Sequence, residues 1–574
     1  MERRVLIAVV LSFLVLYGYQ ALFIPPPLSP EGQDAAAPAA APRGMPAAAQ
    51  PAPAAPTPQP EAIISDTFER EIIIETRTVE GVLSNRGGRV LHWRLKEHRD
   101  DHGQLVDLVP SDLPADQPTP FLLRVDDPQV TERLNTSLYR VSGAVNGRVD
   151  ARRSEAVLVF EFEDASGLRA RKELRFAPES YMITFSAAVS NGGRVLNPSV
   201  MWGPGLDDLG ASTAGGSFFT GNYKQPPAAI YHRDGDVERV VAGDLAEAPN
   251  YEGRFRFAGV DDHYFIAAVI DPGEARLEFR PTAFPDTDGT QREFVSATFG
   301  FPQPPEGIRF FYGPKQFDLL RTVDAELVRA INFGIFGFLA VPLLGALQWI
   351  HGFAGNYGWS IVLLTMLINV AVSPLRHKSV VAMRKMQVLQ PQMKAIQERY
   401  AGLKATDPGK QKMNTEVMNL YREKGVNPAS GCWPMLLQFP VLLAFYSMLS
   451  QSIELRGAIF GLWIRDLSQP DPYYVVPVLM AVTMFWQTKI TPSTADPTQQ
   501  RIMMMMPVMF SVMFLFAPSG LVIYWFVSNL WAIGQQYFTT WMIGPPSVPA
   551  ARPPAERLVK SIGAGRTSDA ERRT

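Results

Sequence analysis

The chain has 574 residues and a formal net charge of −2 at pH 7, so it is long enough for several domains and gives no charge signal for nucleic-acid binding. Its single cysteine, Cys432, excludes an intramolecular disulfide. The sequence lacks a P-loop, an HExxH motif and paired CxxC motifs, so we expect no catalytic residues, no metal site and no cofactor.

The chain opens with Arg3 and Arg4, followed by a predominantly apolar run over residues 5–24. A run of this length is sufficient to cross a bilayer as a helix. The two arginines are expected to hold its first residue in the cytoplasm. We therefore interpret residues 1–24 as a retained anchor. A cleaved signal peptide is the alternative, since the alanines after Gln33 resemble a cleavage site.

Residues 25–60 contain 12 prolines and 12 alanines in 36 residues, which predicts an extended, semi-rigid linker. Residues 61–325 then alternate apolar and polar residues in stretches such as FEREIIIETRTV, AVLVFEFE, LRARKELRF and YMITFSAAV. Many short strands separated by turn residues predict a large antiparallel β-sandwich outside the cytoplasm. Its cluster Asp261, Asp262 and His263 is interpreted as structural.

Residues 326–356 contain an apolar stretch that is interrupted by Gly337, Pro342 and Gln348. We interpret it as an amphipathic helix lying along the outer membrane surface. A membrane-spanning helix is the alternative. It would place the following basic loop outside the cell, against the positive-inside rule.

Residues 357–545 contain five apolar segments that predict membrane spans, which makes six with the anchor. The predicted spans are Gly358–Leu375, Cys432–Ser450, Tyr473–Gln487, Ile502–Phe516 and Leu521–Thr540. The loop over residues 376–424 carries 11 Lys or Arg against four acidic residues, and the tail over residues 546–574 carries six basic residues. This distribution predicts that the loop and both termini are cytoplasmic.

A stripe of four polar residues follows one face of the first of these spans, because its members are spaced by four, four and three positions. They are Thr365, Asn369, Ser373 and Arg376. Polar groups in a span are costly unless they face protein or water. Together with Gln438, Ser528 and Asn529 on other spans they predict a shared polar groove. Simple hydrogen bonding between helices is the alternative.

The basic loop predicts a cytoplasmic helical hairpin over residues 377–427, with its turn at TDPGK. Four of its cations are candidate docking residues. They are Arg384, Lys385, Lys394 and Arg399. Their charge suits the ribosome, an anionic lipid or an acidic chain segment. A solvated spacer is an equally good interpretation of the pattern.

Four long stretches resemble the YidC family of bacterial inner-membrane protein insertases, and they occur in the family's order. They are SPLRHKSVVAMRKMQVLQPQMKAIQERY, VNPASGCWPMLLQFPVLLAFYSML, ELRGAIFGLWIRDLSQPDPYYVVPVLM and PSGLVIYWFVSNLWAIGQQ. The resemblance covers nearly the whole chain. It implies a polytopic α-helical membrane protein with six spans, a five-span insertase core, a large periplasmic antiparallel β-sandwich and a cytoplasmic helical hairpin.

The resemblance also implies a function, that of an inner-membrane insertase and chaperone. Its groove would be open to cytoplasm and lipid, and it would hold the polar part of an incoming segment. An adjacent hydrophobic slide would pass the apolar part into the bilayer. We place that slide at Phe439, Leu442, Met505, Met509, Met513 and Trp525. The implied partners are nascent membrane proteins, the Sec translocon, the ribosome and membrane lipids, with insertion either alone or together with Sec.

One residue departs from the family's pattern, because many members have a basic residue at the position matching Asn369. An amide donates and accepts hydrogen bonds but does not attract an acidic tail as a cation would. Arg376, seven residues on along the same face, would supply charge nearer the mouth of the groove.

Two other functions are open from the residues alone. A secondary transporter would use the polar stripe for a small solute, but it would be expected to have broken spans in repeated halves. An envelope glycan-binding or glycan-processing protein would act through its β domain, and would be expected to have clustered acids or aromatics in a cleft.

Overall fold

A computed structural model describes residues 60–100, 103–110, 117–206, 225–245, 249–285, 291–403, 407–426, 433–461, 463–491 and 497–544. The predicted anchor, almost all of the linker and the basic tail lie outside these residues. Residues 60–494 and 503–574 form one compact unit. A second unit comprises residues 1–59 and 495–502, of which only 497–502, the start of one helix, are described.

The first half of the described chain consists mainly of strands, as the alternating pattern predicted. In chain order they are β1 (Ala62–Ile64), β2 (Glu71–Glu75), β3 (Val79–Ser84), β4 (Arg89–Arg99), β5 (Leu105–Asp107), β6 (Leu122–Arg124), β7 (Arg140–Ser142), β8 (Arg148–Asp150), β9 (Ala156–Asp164), β10 (Leu168–Phe176), β11 (Met182–Asn191), β12 (Arg194–Leu196), β13 (Ser199–Trp202), β14 (Ala228–Arg233), β15 (Asp236–Val241), β16 (Asn250–Asp261), β17 (Phe265–Pro285), β18 (Gln291–Gly300) and β19 (Ile308–Pro314).

These strands form two sheets. The larger has 14 strands with the path β1-β9-β10-β11-β19-β17-β16-β14-β15, and the smaller has the order β5-β4-β3-β2-β8. All described pairings are antiparallel except β2 with β8. The β-rich, antiparallel character of this region is thus confirmed. The two sheets share one core, in which Trp93 of the smaller sheet stacks on Tyr312 of the larger with ring centroids 5.7 Å apart.

A lysine occupies one inward position of strand β10. Residues 168, 170, 172, 174 and 176 all face the core, as the period of two requires, and Lys172 is among them with no exposed surface. Its ammonium group donates hydrogen bonds to the carbonyl oxygens of Gly87, at 2.5 Å, and Phe121, at 2.8 Å. Burial lowers the pKa of Lys172 to about 7. The side chain therefore ties two turns to the large sheet.

We expect this lysine to make the stability of the β domain pH-dependent. Its pKa falls from 10.5 to about 7 on folding, so the unfolded chain binds the extra proton between these values. The free energy of unfolding should therefore rise with pH in that window, by up to about 1.4 kcal/mol per pH unit. Urea denaturation of the full chain in detergent at pH 7 to 9 measures this. Lys172→Met should flatten the rise, and equal slopes in both proteins would contradict the prediction.

The second half of the described chain is helical. The helices in chain order, including three in the β region and its exit, are α1 (Pro128–Thr136), α2 (Ala242–Leu245), α3 (Phe317–Val323), α4 (Gly337–Ala354), α5 (Tyr357–Arg399), α6 (Pro408–Glu423), α7 (Trp433–Gln451), α8 (Val475–Ile490), α9 (Pro497–Phe514) and α10 (Ser519–Ile543). Short 3-10 helices in the described residues cover Leu327–Ala330, Gly334–Phe336 and Ile453–Leu455.

The predicted surface helix corresponds to α4, which packs against α5 and α7. One face is buried through Ala340, Leu344, Leu347 and Ile350, while large apolar side chains such as Trp349 are exposed on another. Among the described residues, two helical stretches are long and apolar enough to cross a membrane by length and composition, Gly334–Ala354 and Tyr357–Arg399.

The predicted first core span and the first arm of the hairpin form a single helix. Helix α5 runs without interruption through Pro374 and Pro391 for 43 residues. Helix α6 then folds back against it, and Met386 and Leu389 of α5 form a small apolar core with Val426. The four remaining predicted spans correspond to α7, α8, α9 and α10, each within a few residues of the predicted bounds.

Buried polar contacts connect the β domain to the helices. Asp261 accepts hydrogen bonds from Lys315, at 3.2 Å, and from Arg239, and its side chain has no exposed surface. Nε2 of His263 lies 2.8 Å from the carbonyl oxygen of Ser450, at the end of α7. The cluster Asp261, Asp262 and His263, which the sequence analysis interpreted as structural, thus lies where the β domain meets the helices.

Candidate functional site

The predicted polar stripe of α5 faces protein along most of its length. Thr365 has no exposed surface and Asn369 only 4%, whereas Leu367 and Val370 of the same helix are more than half exposed. The Thr365 hydroxyl donates a hydrogen bond to the Ile361 carbonyl, one helical turn earlier, at 2.6 Å. The hydroxyl is thus satisfied within its own helix. The stripe therefore lies on the side of α5 that meets other helices.

Asn369 joins α5 to α10. Its amide nitrogen donates to the Thr365 carbonyl at 2.8 Å and to the Ser528 hydroxyl at 3.3 Å. Ser528 is also almost completely buried. The sequence predicted these two residues for one groove, and the fold brings them together across the two helices.

Ser373, one turn further along α5, collects a second set of contacts from α10. Its hydroxyl accepts a hydrogen bond from the indole nitrogen of Trp531 at 3.1 Å, and its carbonyl accepts one from Nε2 of Gln535 at 2.7 Å. Trp531 was missed as a site residue in the sequence. Its spacing of three from Ser528 and four from Gln535 could have identified it, because these spacings place all three on one helical face.

Arg376 ends the stripe, and its guanidinium group is only half satisfied. One terminal nitrogen, Nη2, donates to the side-chain oxygen of Gln438 on α7. The other, Nη1, is buried and has no hydrogen-bond partner among the described residues. No carboxylate of a described residue forms an ion pair with it either. A buried donor of this kind is costly unless a further group binds it.

Asn529 lies apart from this cluster. Its amide nitrogen points to the Thr483 hydroxyl of α8, at 3.5 Å, and not to α5. Adjacent residues of a helix are about 100° apart, so Ser528 and Asn529 serve different neighbours. The structure thus brings together six of the seven predicted groove residues. They form one layer at Asn369, a second at Ser373 and a cationic end at Arg376. The seventh residue, Asn529, lies against α8.

The six predicted slide residues divide by exposure. Phe439, Met505 and Met509 are at least half exposed on α7 and α9. Leu442, Met513 and Trp525 are partly buried against the main apolar core. The ring of Trp525 packs on Phe514 with centroids 4.8 Å apart. Helix α9 therefore offers an exposed apolar face beside a packed one.

The four hairpin cations also divide by contact. Arg384 donates to the Gly544 carbonyl at 2.9 Å, which caps the end of α10, and Arg399 pairs with Glu416 at 2.8 Å. Lys385 and Lys394 are exposed and form no ion pair with a described residue. Of the four candidate cations, these two lysines are thus the ones without an ion pair to a described residue.

We expect the Asn369–Ser528 layer to matter for insertion more than a similar polar pair nearby. Asn369→Leu with Ser528→Ala removes two polar groups, each worth roughly 1–3 kcal/mol to a buried polar partner, so insertion should fall about tenfold for polar flanks. The measurement is the protease-protected fraction of a single-span substrate in proteoliposomes.

A matched control comes from the other face of α10. Thr483→Val with Asn529→Leu makes a comparable change in polarity on the face that meets α8. Insertion should stay near the wild-type level in this variant. An equal loss in both double variants would show that polarity between the helices has only a packing role.

Comparisons with known proteins give a consistent result. A family described as 60Kd inner membrane protein matches residues 349–544, and one described as YidC periplasmic domain matches residues 71–346. The membrane protein insertase YidC of Geobacter metallireducens is 34% identical over 552 residues, which cover 94% of this chain and 98% of that protein. Its counterpart in Oleidesulfovibrio alaskensis is 35% identical over 563 residues, covering 94% and 99%.

A solved structure is also similar. It is a crystal structure of an active YidC insertase with its first transmembrane domain resolved, 19% identical in sequence. It covers 83% of this chain and 94% of the other, with a TM-score of 0.34.

Proposed function

This chain belongs to the YidC family and is a membrane protein insertase, and from this we propose that its polar cluster holds the hydrophilic flank of an incoming segment. The observation that carries the proposal is the row of buried polar side chains along α5. The row ends at a guanidinium nitrogen that has no hydrogen-bond partner among the described residues. Such groups are costly among apolar helices, and a polar chain segment would satisfy them.

The proposed mechanism needs no catalytic residue, nucleotide or cofactor. A polar flank resting between α5, α7 and α10 loses less hydration energy than it would in lipid, because hydroxyl, amide and guanidinium groups replace water. The attached apolar segment then lies beside the exposed side chains of α7 and α9. Its transfer to the bilayer is downhill, since apolar surface leaves water and the helix satisfies its own backbone.

We further propose the membrane arrangement. The chain spans the inner membrane six times, with both termini and the hairpin over residues 377–427 in the cytoplasm. Residues 61–325 lie in the periplasm, and residues 326–356 lie along the outer membrane surface. The supporting observation is the excess of basic residues in the hairpin and the tail. Single-cysteine variants of Lys412 and Asp150 should label from opposite sides in intact cells and spheroplasts.

Nascent membrane proteins are the substrates that an insertase function implies. The Sec translocon, the ribosome and membrane lipids are proposed as further partners, and insertion is proposed to occur with or without Sec. The test of the groove function is reconstitution of the full chain in liposomes free of Sec, with a single-span substrate. We expect insertion that depends on the cluster. Crosslinks from the substrate's polar flank to lipid only, with none to α5 or α10, would contradict it.

Of the four predicted docking cations in the hairpin, we propose that Lys385 and Lys394 bind the anionic partner, because Arg384 and Arg399 already have contacts within the chain. Lys385→Gln with Lys394→Gln should weaken ribosome or nascent-chain association at low salt, because both ammonium groups are free to meet an anionic partner. Lys489→Gln, an exposed cation outside the hairpin, serves as the control. Cosedimentation with ribosomes across a salt series measures the effect. Unchanged binding of the double variant at low salt would reduce the hairpin to a spacer.

A further inference from the structure

The loop between α7 and α8 covers one end of the helical bundle. We call its described residues, 452–461 and 463–474, the cap. Leu455, Ile464 and Leu467 of the cap are almost completely buried and belong to the main apolar core. The cap lies over the first residues of α5, α8 and α10, to each of which it is hydrogen-bonded. In the proposed membrane arrangement this is the periplasmic end of the bundle.

The starts of α5 and α10 both depend on the cap for hydrogen bonds. Asn356, which caps the N-terminus of α5, donates from its side-chain nitrogen to the Ile459 carbonyl at 2.7 Å. Ser519, the first residue of α10, donates from its backbone amide and from its hydroxyl to the Gln469 carbonyl, each at 2.8 Å. The first N–H groups of a helix have no acceptor within that helix. The cap supplies such acceptors and is thereby fixed to both helices.

A buried carboxylate fixes the cap to the third helix. Asp471 is 1% exposed, and its side-chain oxygens accept hydrogen bonds from three groups. The donors are the indole nitrogen of Trp463 at 2.9 Å, the backbone amide of Tyr473 at 3.0 Å and that of Val476, in the first turn of α8, at 2.8 Å. Both carboxylate oxygens are used. An asparagine has one side-chain oxygen, so Asp471→Asn breaks at least one of these bonds.

A close aromatic contact presses the cap onto α5. The ring of Phe460 lies so near Gly358 that a methyl group on this glycine would come within 2.0 Å of a ring carbon. Phe460 also packs on the ring of Trp359, with the ring centroids 5.6 Å apart. Gly358 therefore allows the cap to approach the helix, and any side chain at this position would push the ring of Phe460 away.

A thin apolar layer separates the cap from the polar stripe of α5. Tyr357 and Thr365 are eight residues apart, which is about 12 Å along the helix. Phe445 of α7 and Tyr524 of α10 belong to this layer, where their rings stack with centroids 4.2 Å apart and are almost completely buried. The hydrocarbon core of a bilayer is about 30 Å thick. An ion that passed the cap would thus cross less than half of the usual apolar thickness before it met polar groups.

We propose that the cap is an ion seal, which keeps protons and other small cations of the periplasm out of the polar groove. Asp471 is then a positioning residue, because it holds the cap closed without touching substrate. The three helix starts under the cap strengthen the barrier, since their positive dipole ends repel cations. The proposal rests on the proposed groove function, because a groove that is open to the cytoplasm needs a seal at its other end.

The experiment measures proton entry into proteoliposomes that contain the full chain and a trapped pH-sensitive dye. A potassium gradient with valinomycin sets the membrane potential. Asp471→Asn should raise the proton leak several-fold over the wild type. Asp466→Asn is the matched control, because Asp466 lies in the same loop and accepts hydrogen bonds from the neighbouring Ser468. A leak at the control level, in an Asp471→Asn protein that still unfolds cooperatively, would overturn the proposal.

A second variant opens the seal through a different contact. Gly358→Ala adds the methyl group that displaces the ring of Phe460, while alanine suits a helix better than glycine, so α5 itself is not weakened. The proton leak should again rise several-fold. Gly352→Ala on α4 is the control, because a methyl group there would meet no atom within 4 Å. Equal leaks in the two glycine variants would contradict the proposal.

A third variant tests the route of the protons. Adding Asn369→Leu to Asp471→Asn makes the polar stripe less polar and should return the leak towards the wild-type rate. A leak that persists would show that the protons bypass the groove, which overturns the seal but leaves the insertion tests of the groove unaffected. A leak that requires Asn369, together with insertion that does not, would reject the groove's role in insertion and support the seal.

Discussion

Replacing Arg376 by glutamine is expected to lower the insertion of substrates with acidic tails about tenfold, and to affect neutral tails much less. The size follows from one charge-assisted hydrogen bond, which contributes roughly 1.5–3 kcal/mol. The reason is the nitrogen Nη1 of Arg376, which has no partner in the part of the chain that the structure describes and is held in place because Nη2 is bound to Gln438. A cation beside low-dielectric helices attracts a carboxylate more strongly than it would in water.

The measurement is the inserted fraction of substrates that differ only in one Asp or Asn of the tail. Lys378→Gln is the matched control, since Lys378 lies two residues away but is exposed. Adding Asn369→Arg to the Arg376→Gln variant should restore a preference for acidic tails from a site two helical turns away. A uniform loss for both tails in Arg376→Gln would show that the arginine only holds the helices together.

Replacing Asp261 by alanine is expected to cost about 3–5 kcal/mol of stability, the largest effect that we predict for a single substitution. Asp261 lies between Lys315 and Arg239, and neither its side chain nor that of Lys315 is exposed by more than 1%. Removal of the carboxylate leaves two cations in an apolar environment without their counter-ion.

Thermal unfolding of the full chain, followed by tryptophan fluorescence, measures this effect. Asp271→Ala is the control, because the ion pair of Asp271 with Arg256 is half exposed and contributes little. If both substitutions shift the unfolding temperature equally, the buried cluster does not stabilise the junction. We expect Asp261→Ala alone to lower the unfolding temperature. The same substitution should loosen the contact of His263 with Ser450, and limited proteolysis at the junction would detect this.

The part of the site predicted from the sequence was the part governed by local spacing. Thr365, Asn369 and Ser373 recur at four residues, so any helix at this place puts them on one face. Asn529 differs, because its amide points to Thr483 of α8. Which neighbour a face of α10 meets is decided by packing with distant helices. Sequence spacing contains no information on that choice.

In the β domain and the hairpin, too, local patterns predicted the elements, whereas contacts between distant segments decided which groups meet. Alternation predicted strand β10, yet Lys172 occupies an inward position there, where two carbonyl oxygens far away in sequence accept hydrogen bonds from its ammonium group. Strand β19 lies between β11 and β17, an order that no local pattern specifies. From the sequence, Arg384 resembled a free surface cation. In the fold it donates a hydrogen bond to the Gly544 carbonyl at the end of α10.

The continuity of α5 has a mechanical consequence. Because no loop separates the polar stripe from the hairpin, the 23 residues beyond Arg376 continue the same helix as an arm of about 35 Å. A tilt of about 10° would displace the tip of this arm by roughly 6 Å. A load at the tip, such as a bound particle pulling on it, would act as a torque on the segment that carries Asn369 and Ser373. A force applied to the hairpin would thus be transmitted to the helix that carries the polar stripe.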